Sequence, residues 1–326
     1  MFTYAYKYCS HTDYLKDIAR FAGVPVKNNT IELPPSIGSG YIKAVELVNG
    51  LQVLINECVT STDVCFIREP SEHESYTLRF DEVKNLQQLT LQIDEDIKKD
   101  DSVVYSGAFL SNSLFGLRYT ANAGIEDRCI NIYFTSKWLE DNIGIKSSDE
   151  VFKKYFSLKT ASLNFEILNL DYRSLMEDIF ELDHEQPMQL VIMQNRVMLL
   201  LEKFLRSLYK KINHPELAIQ VNETTLRQIM NVESILVSNL FVQPPTIPVL
   251  ARIATMSETK LKNVFKTVYG YNIYEYYQKN RMLKARQLLH TKKMSVKEVG
   301  MALGFKNLSN FTIAYKKEFN VLPSAG

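Results

Sequence analysis

Histidine and cysteine are scarce in this chain. Five histidines (His11, His73, His184, His214 and His290) are spread over 326 residues, and no two stand two apart. The His-x-His pair with a carboxylate that makes an open catalytic metal site is therefore missing. His73 sits between Glu72 and Glu74, which reads as a charged turn. Four cysteines (Cys9, Cys58, Cys65 and Cys129) are too few for a disulfide framework and lack Cys-x-x-Cys spacing, so reduced and mostly buried thiols are expected. No nucleophile elbow, Walker loop or dinucleotide fingerprint occurs, and GSGYIKA at 38–44 leads into a strand pattern, not a helix. No apolar run approaches the roughly 20 residues of a spanning helix. The start, MFTYAYKYCSHTDYLKD, lacks a basic stretch followed by an apolar core. The expectation is a cytoplasmic chain with no membrane partner, no catalytic residue, no metal and no cofactor.

What is present is an uneven distribution of charge. Between Thr246 and Gly326 stand fourteen basic and four acidic residues, a net +10 over 81 positions, whereas the other 245 carry 24 basic and 33 acidic, a net −9. Such asymmetry suggests that one end meets a polyanion while the other does a different job.

Residues 10–23 read as a short helix capped by Ser10 or Thr12 and stopped by Gly23. From about Gly40 to Thr135 the pattern turns to strands: GYIKAVEL, GLQVLINECV, SYTLRFDEV, LTLQI, SVVYSGAFL, FGLRYTA and RCINIYFT. Period-2 alternation is clear in Ile130, Ile132 and Phe134 and in Leu78 and Phe80, which predicts an antiparallel barrel or sandwich. Residues 147–183 look mostly helical. The stretch 188–212 carries Leu190, Met193, Val197, Leu200, Phe204, Leu208 and Ile212 at helical steps, a stripe that either packs on the barrel or pairs with a copy of itself. Residues His214 to Thr225 read as a linker.

The last 80 residues contain a repeat. Leu250, Ile253, Ala254, Thr255 and Met256 match Val299, Ala302, Leu303, Gly304 and Phe305 at an offset of 49. Leu261, Phe265, Tyr269 and Gly270 match Phe311, Tyr315, Phe319 and Asn320 at 50. Each copy reads as a short helix, a tight turn, a second helix capped by Ser257 or Asn307, and a left-handed stop at Gly270 or Asn320. That is a helix-turn-helix pattern, present twice. Between the copies, residues 273–291 predict a helical strut of roughly 28 Å at 1.5 Å per residue, suited to major-groove segments about 34 Å apart.

The segments IPVLARIATMSETKLKNVFKTVYGYNIYEYYQKNRMLKARQLL and MSVKEVGMALGFKNLSNFTIAYKKEFNVLP resemble the AraC/XylS family of bacterial transcription regulators. The resemblance covers the last 80 residues and includes the LAR…S…L…F start, the R…A…LL linker helix and GF-x-N-x-S-x-F. Asn320 stands where the family usually has glycine. The resemblance implies two helix-turn-helix units joined to a sensing or dimerising domain, with double-stranded DNA as partner and RNA polymerase as another if the chain activates transcription.

Recognition helices read base edges near their N-termini, opposite the buried stripe. This selects Thr259, Lys260, Lys262 and Asn263 in the first copy and Asn307, Ser309, Asn310, Thr312 and Lys316 in the second for bases. Lys266, Lys306 and Lys317 are selected for phosphates. Arg281, Arg286 and Glu298 are expected to pair within the domain.

The strand region, beside such a module, resembles cupin-like sensing domains of the family. It is expected to bind a small effector, with Arg68, Arg118 or nearby tyrosines as polar contacts; the alternative is a ligand-free scaffold for dimerisation or protein docking. The full expectation is an α+β multidomain homodimer: a cupin-like β domain over 1–145, a helical connector and dimerisation region over 146–215, and a DNA-binding domain over 222–326.

Overall fold

A computed structural model describes residues 1–7, 10–84, 89–93, 106–145, 165–182, 187–213 and 221–325. The chain divides into two compact units: residues 1–168 with 184–217, and residues 169–183 with 218–326.

In the first unit the elements run β1 (Phe2–Lys7), α1 (His11–Ala22), β2 (Thr30–Glu32), β3 (Gly38–Glu46), β4 (Gln52–Thr60), β5 (Val64–Glu69), β6 (Tyr76–Lys84), β7 (Leu89–Ile93), β8 (Gly107–Asn112), β9 (Leu117–Ala121), β10 (Glu126–Phe134), α2 (Ser136–Ile143) and β11 (Phe165–Ile167). They form two sheets, β1-β5-β9-β7 and β11-β8-β6-β10-β4-β3-β2. All pairings are antiparallel except β1 with β5, which run parallel in register from Phe2 opposite Val64. A parallel pair needs a long crossover, and here α1 and β2 to β4 supply it. The expected helix over 10–23 is α1, with the Ser10 side chain accepting from Asp13 N and Gly23 left-handed at φ 69°. The glycines of GSGYIKA serve the sheet: a Cβ on Gly38 or Gly40 would collide with the carbonyls of Val59 or Glu57 across the β3–β4 ladder.

The alternation that announces the strands has an unexpected consequence for the large sheet. Ile130, Ile132, Phe134, Leu78 and Phe80 are all buried on one face, and Phe134 there packs on Trp138 of α2 at 6.2 Å between ring centroids. The alternate positions of the same strands therefore point the other way. They include Asn56, Thr77, Arg79, Asp81, Asp127 and Asn131. This second face is polar yet not solvent-exposed, with Asp81 at 1% and Asn131 at 6% exposure.

The remaining helices are α3 (Leu170–Phe180), α4 (Gln189–Asn213), α5 (Glu223–Ser238), α6 (Ile247–Ile253), α7 (Glu258–Tyr269), α8 (Ile273–His290), α9 (Val296–Ala302) and α10 (Leu308–Phe319). The region 146–215 is divided between the units. α4 stays with the β unit, where the Gln194 side chain accepts from Asn49 N at 3.2 Å and Lys211 pairs with Glu166 at 3.2 Å. Met193, Val197, Leu200, Phe204 and Leu208 of its stripe are buried; Leu190 is 41% exposed, and the Ile212 side chain lies outside the described residues. α3 joins the second unit through Arg173, which pairs with Glu233 of α5 at 2.9 Å. Residues 146–164 of the expected helical stretch lie outside the described residues, and 165–167 form β11 instead. Residues 214–220 of the expected linker are also outside them. Its last three positions are ordered helix start, since Asn222 caps α5 by accepting from Thr225 N at 2.8 Å. Cys9, His184 and His214 likewise lie outside the described residues.

Candidate nucleic-acid interface

The second unit contains the repeat as two short helix-turn-helix units, α6–α7 and α9–α10. Both turns use the left-handed region: Thr255 has φ 50° and Gly304 φ 78°. The reading helices start as expected, with Ser257 Oγ accepting from Lys260 N at 3.2 Å and Asn307 Oδ1 accepting from Asn310 N at 2.8 Å. They end at Gly270 (φ 81°) and Asn320 (φ 60°). Asn320 therefore fulfils the glycine role at the modest cost that asparagine carries there.

Burial fixes which face of each reader is free. Leu261, Phe265 and Tyr269 are buried on α7, and Phe311 and Tyr315 on α10. The 18-residue strut α8, about 27 Å long, holds both readers. Near its start, Tyr276 packs on Phe265 (5.4 Å) and Tyr269 (4.9 Å). Toward its end, Met282, Ala285 and Leu289 share one apolar cluster with Val299, Leu303, Phe311 and Tyr315. Lys279 anchors the tail of α10 through Glu318 at 2.8 Å. A Cβ on Gly300 would come 3.2 Å from the Phe311 ring, so the absence of a side chain there lets α9 and α10 meet closely.

Of the selected contact residues, Thr259, Lys260, Lys262, Asn263, Lys266, Lys306, Asn307, Ser309, Asn310, Lys316 and Lys317 are exposed and Thr312 is half-buried. At 100° per residue, Thr259 and Asn263 fall near the centre of the free face of α7 and Lys266 about 60° to one side of it. Ser309, Ile313 and Lys316 take the same positions on α10. Ile313, 66% exposed, was not selected from sequence because an apolar residue reads as core. Lys317 lies near the centre of the free face of α10, Lys260 and Asn310 about 60° to the other side, and Lys262 and Thr312 beside the buried stripe. Lys262 also faces Glu258 at 3.8 Å, an exposed pair worth little.

Three charged residues set apart as internal do work inside the unit. Arg281 donates to the Leu303 carbonyl and to Gln278 at 2.8 Å, with its guanidinium over the Phe305 ring at 4.6 Å. Arg286 pairs with Asp178 at 2.7 Å. Glu298 completes a capping box with Ser295, and those hydrogen bonds hold its carboxyl below the usual range.

The β unit holds a cavity of about 110 Å³ between the polar face of the large sheet and the apolar side chains of Ile37, Leu117 and Ile125. Arg68 lines it, as do Tyr6, Tyr14 and Tyr119. Arg118 does not: alternation along β9 buries Leu117, Tyr119 and Ala121 and turns Arg118 outward. Burial lowers the His11 imidazole to about 3, so it is neutral. Burial, with Asp81 nearby, raises Asp127 to about 7 against the opposing pull of Arg79. Among the described residues no group of three or more His, Cys, Asp or Glu is placed to hold a metal. No described helix is long and apolar enough to cross a membrane.

This arrangement of two capped readers on one strut defines the class: a double helix-turn-helix protein. Residues 250–325 match a family model described as a helix-turn-helix domain. The virulence regulon transcriptional activator VirF of Yersinia enterocolitica is 39% identical over 74 residues, 23% of this chain and 27% of VirF. The regulatory protein SoxS of Salmonella typhimurium is 30% identical over 82 residues, 25% of this chain and 77% of SoxS. An AraC-type regulator structure from Chromobacterium violaceum, 27% identical, covers 32% of this chain and 92% of its own, with a TM-score of 0.30. The chain thus spans about a quarter of VirF and more than three quarters of SoxS. It belongs to the AraC/XylS family of transcription regulators.

Proposed function

We propose that this protein is a sequence-specific DNA-binding regulator of transcription, controlled by a small effector in its β unit. The observation that carries the first part is the equivalence of two free faces, Thr259/Asn263/Lys266 and Ser309/Ile313/Lys316, on helices held by one strut. Each reader would enter a major groove with these equivalent side chains toward the base edges. The wheel positions alter the division expected from sequence. Lys266 takes the place on α7 that Lys316 takes on α10, so both address bases, for which guanine acceptors suit an ammonium. Asn263 suits adenine, and Ile313 suits a thymine methyl. Lys260, Lys306 and Lys317 serve phosphates. Asn307 acts chiefly through its cap, since its Oδ1 is occupied.

A cavity lined by both polar and apolar side chains supports the effector reading over a ligand-free scaffold. Self-association would use what α4 leaves exposed, a ridge including Val191, Leu199 and Tyr209, and a dimer would double the DNA footprint. The effector would act by unequal affinity for two placements of the readers. The test is binding of the full chain to a selected duplex and to a random one across salt. Steep loss of affinity with salt on both, with Lys266→Ala and Lys316→Ala narrowing the difference between them, supports the reading. Equal loss on both duplexes for these two substitutions would overturn the base assignment.

A further inference from the structure

An apolar side chain stands at the centre of the free face of α10. At 100° per residue, Ile313 lies opposite the midpoint between the buried Phe311 and Tyr315, and it is 66% exposed. Its counterpart in the first copy of the repeat, fifty positions earlier, is Asn263, which is exposed on α7. The flanking positions keep their polarity, since Thr259 answers to Ser309, Lys260 to Asn310 and Lys266 to Lys316. The two readers therefore share a frame and differ in chemistry at one central place.

Folding does not account for Ile313. The apolar cluster around α10 is built from Phe311, Tyr315 and Phe319 with partners on α8 and α9, and Ile313 is not part of it. On its own helix, the residues three and four positions away are Ser309, Asn310, Lys316 and Lys317, so no apolar pair forms there. Isoleucine is also a poorer helix former than alanine or lysine. What its branching supplies is a fixed shape, because one χ1 rotamer dominates for isoleucine in a helix. A stiff apolar group thus projects from a polar reading surface.

The major groove offers such a group one match. Among the groups that the bases present there, the C5-methyl of thymine is the apolar one. Against the amino group of cytosine or N7 of a purine, Ile313 would displace water and return no hydrogen bond. Against a C5-methyl group it buries apolar surface on both sides. A contact of about one buried methylene corresponds to about fourfold in affinity. Because isoleucine makes no hydrogen bond, it tells a methylated pyrimidine from an unmethylated one and treats thymine and 5-methylcytosine alike. Asn263, at the equivalent place, offers a donor and an acceptor and suits adenine instead.

We propose that α10 reads a pyrimidine C5-methyl group through Ile313, which makes the two half-sites unlike and DNA binding dependent on methylation of that pyrimidine. This rests on the reading of α7 and α10 as base-reading helices and names the group that α10 recognises.

The experiment is binding of the full chain, by fluorescence anisotropy, to a selected duplex in which each thymine is replaced in turn by uracil. That change removes the methyl group and leaves the pairing edge intact. The native chain is expected to lose about fourfold at one thymine or more, and Ile313→Asn to bind the thymine and uracil forms equally there. With cytosine placed at the same position, 5-methylation is expected to restore about fourfold to the native chain and nothing to Ile313→Asn. Asn263→Ala is expected to leave both methyl effects in place. Circular dichroism checks that each variant is folded. No uracil effect at any thymine, or one that persists in folded Ile313→Asn, would overturn the methyl assignment. So would equal binding of cytosine and 5-methylcytosine. The two-reader account would still stand in these cases if the selected duplex bound more tightly than a random one. Equal binding of the native chain to selected and random duplexes would overturn both.

Discussion

Glu233→Leu provides a severe test of how the reader unit is built. Glu233 is 4% exposed and Arg173 is 7% exposed. The Glu233 Oε1 accepts from Arg173 at 2.9 Å and from the Tyr276 hydroxyl at 2.8 Å. Replacing Glu233 removes a buried countercharge of the Arg173 guanidinium, which costs about 3–5 kcal/mol, and takes an acceptor from the Tyr276 hydroxyl in the core. The unit holds 15 residues from 169–183 and 109 from 218–326, 124 in all. At roughly 2.1 cal/mol/K per residue its unfolding entropy is about 0.26 kcal/mol/K, so the midpoint should fall by about 12–19 °C. Removing both charges in Arg173→Met/Glu233→Leu should recover most of that loss, because a buried pair contributes little over apolar packing. The assay is thermal unfolding of the full chain by circular dichroism, which is weighted toward this helical unit. Fluorescence of the single tryptophan, Trp138, follows the β unit separately. A single substitution costing under about 1 kcal/mol, or a double variant less stable than Glu233→Leu alone, would refute the claim that α3 is an integral part of the reader unit.

Lys317→Ala should weaken binding to all duplexes and reduce the salt slope by about one, measured by fluorescence anisotropy; a change in sequence preference would contradict its assignment to phosphate. Gly304→Ala should cost about 1–2 kcal/mol through its left-handed φ of 78° alone, since the nearest atom to an added Cβ is Arg281 Nη2 at 3.8 Å. His11 has a lowered folded value of about 3 against an unfolded 6.5, so the unfolded state takes up a proton first. Its contribution is therefore constant above about pH 6.5 and is lost as pH falls toward 3, by on the order of 4 kcal/mol. Asp127 acts oppositely: raised from 3.8 to about 7, it favours the folded state at low pH, and that contribution is lost as pH rises through 4 to 7. Denaturant titrations followed by Trp138 should show His11→Phe removing the acid-side loss, and Asp127→Asn removing the neutral-side loss.

The readers were legible in the sequence because every signal there is local. Ser257, Asn307, Gly270 and Asn320 mark helix ends within a few residues of the apolar steps they bound. Two features were not legible, for physical reasons. Alternating polar residues such as Arg79, Asp81, Asp127 and Asn131 read as a solvent face, because period 2 tells which residues share a side and not what covers it. α3 reads as connector because its ties to the readers, such as Arg173–Glu233 and Asp178–Arg286, join residues 60 and 108 positions apart. α5 went unnamed for a related reason: Glu233 interrupts the buried stripe of Ile229, Met230, Val232 and Leu236. The β1–β5 pair escaped because parallel partners lie far apart in the chain, with no hairpin turn to announce them.

The central claim is that two equivalent faces on one strut read one duplex. The most direct measurement is binding of the native chain, Lys266→Ala and Lys316→Ala to a selected duplex in which each base pair is substituted in turn. The account predicts two clusters of sensitive base pairs about one helical turn apart, with Lys266→Ala relaxing one cluster and Lys316→Ala the other. A single cluster, or both substitutions relaxing the same base pairs, would contradict it.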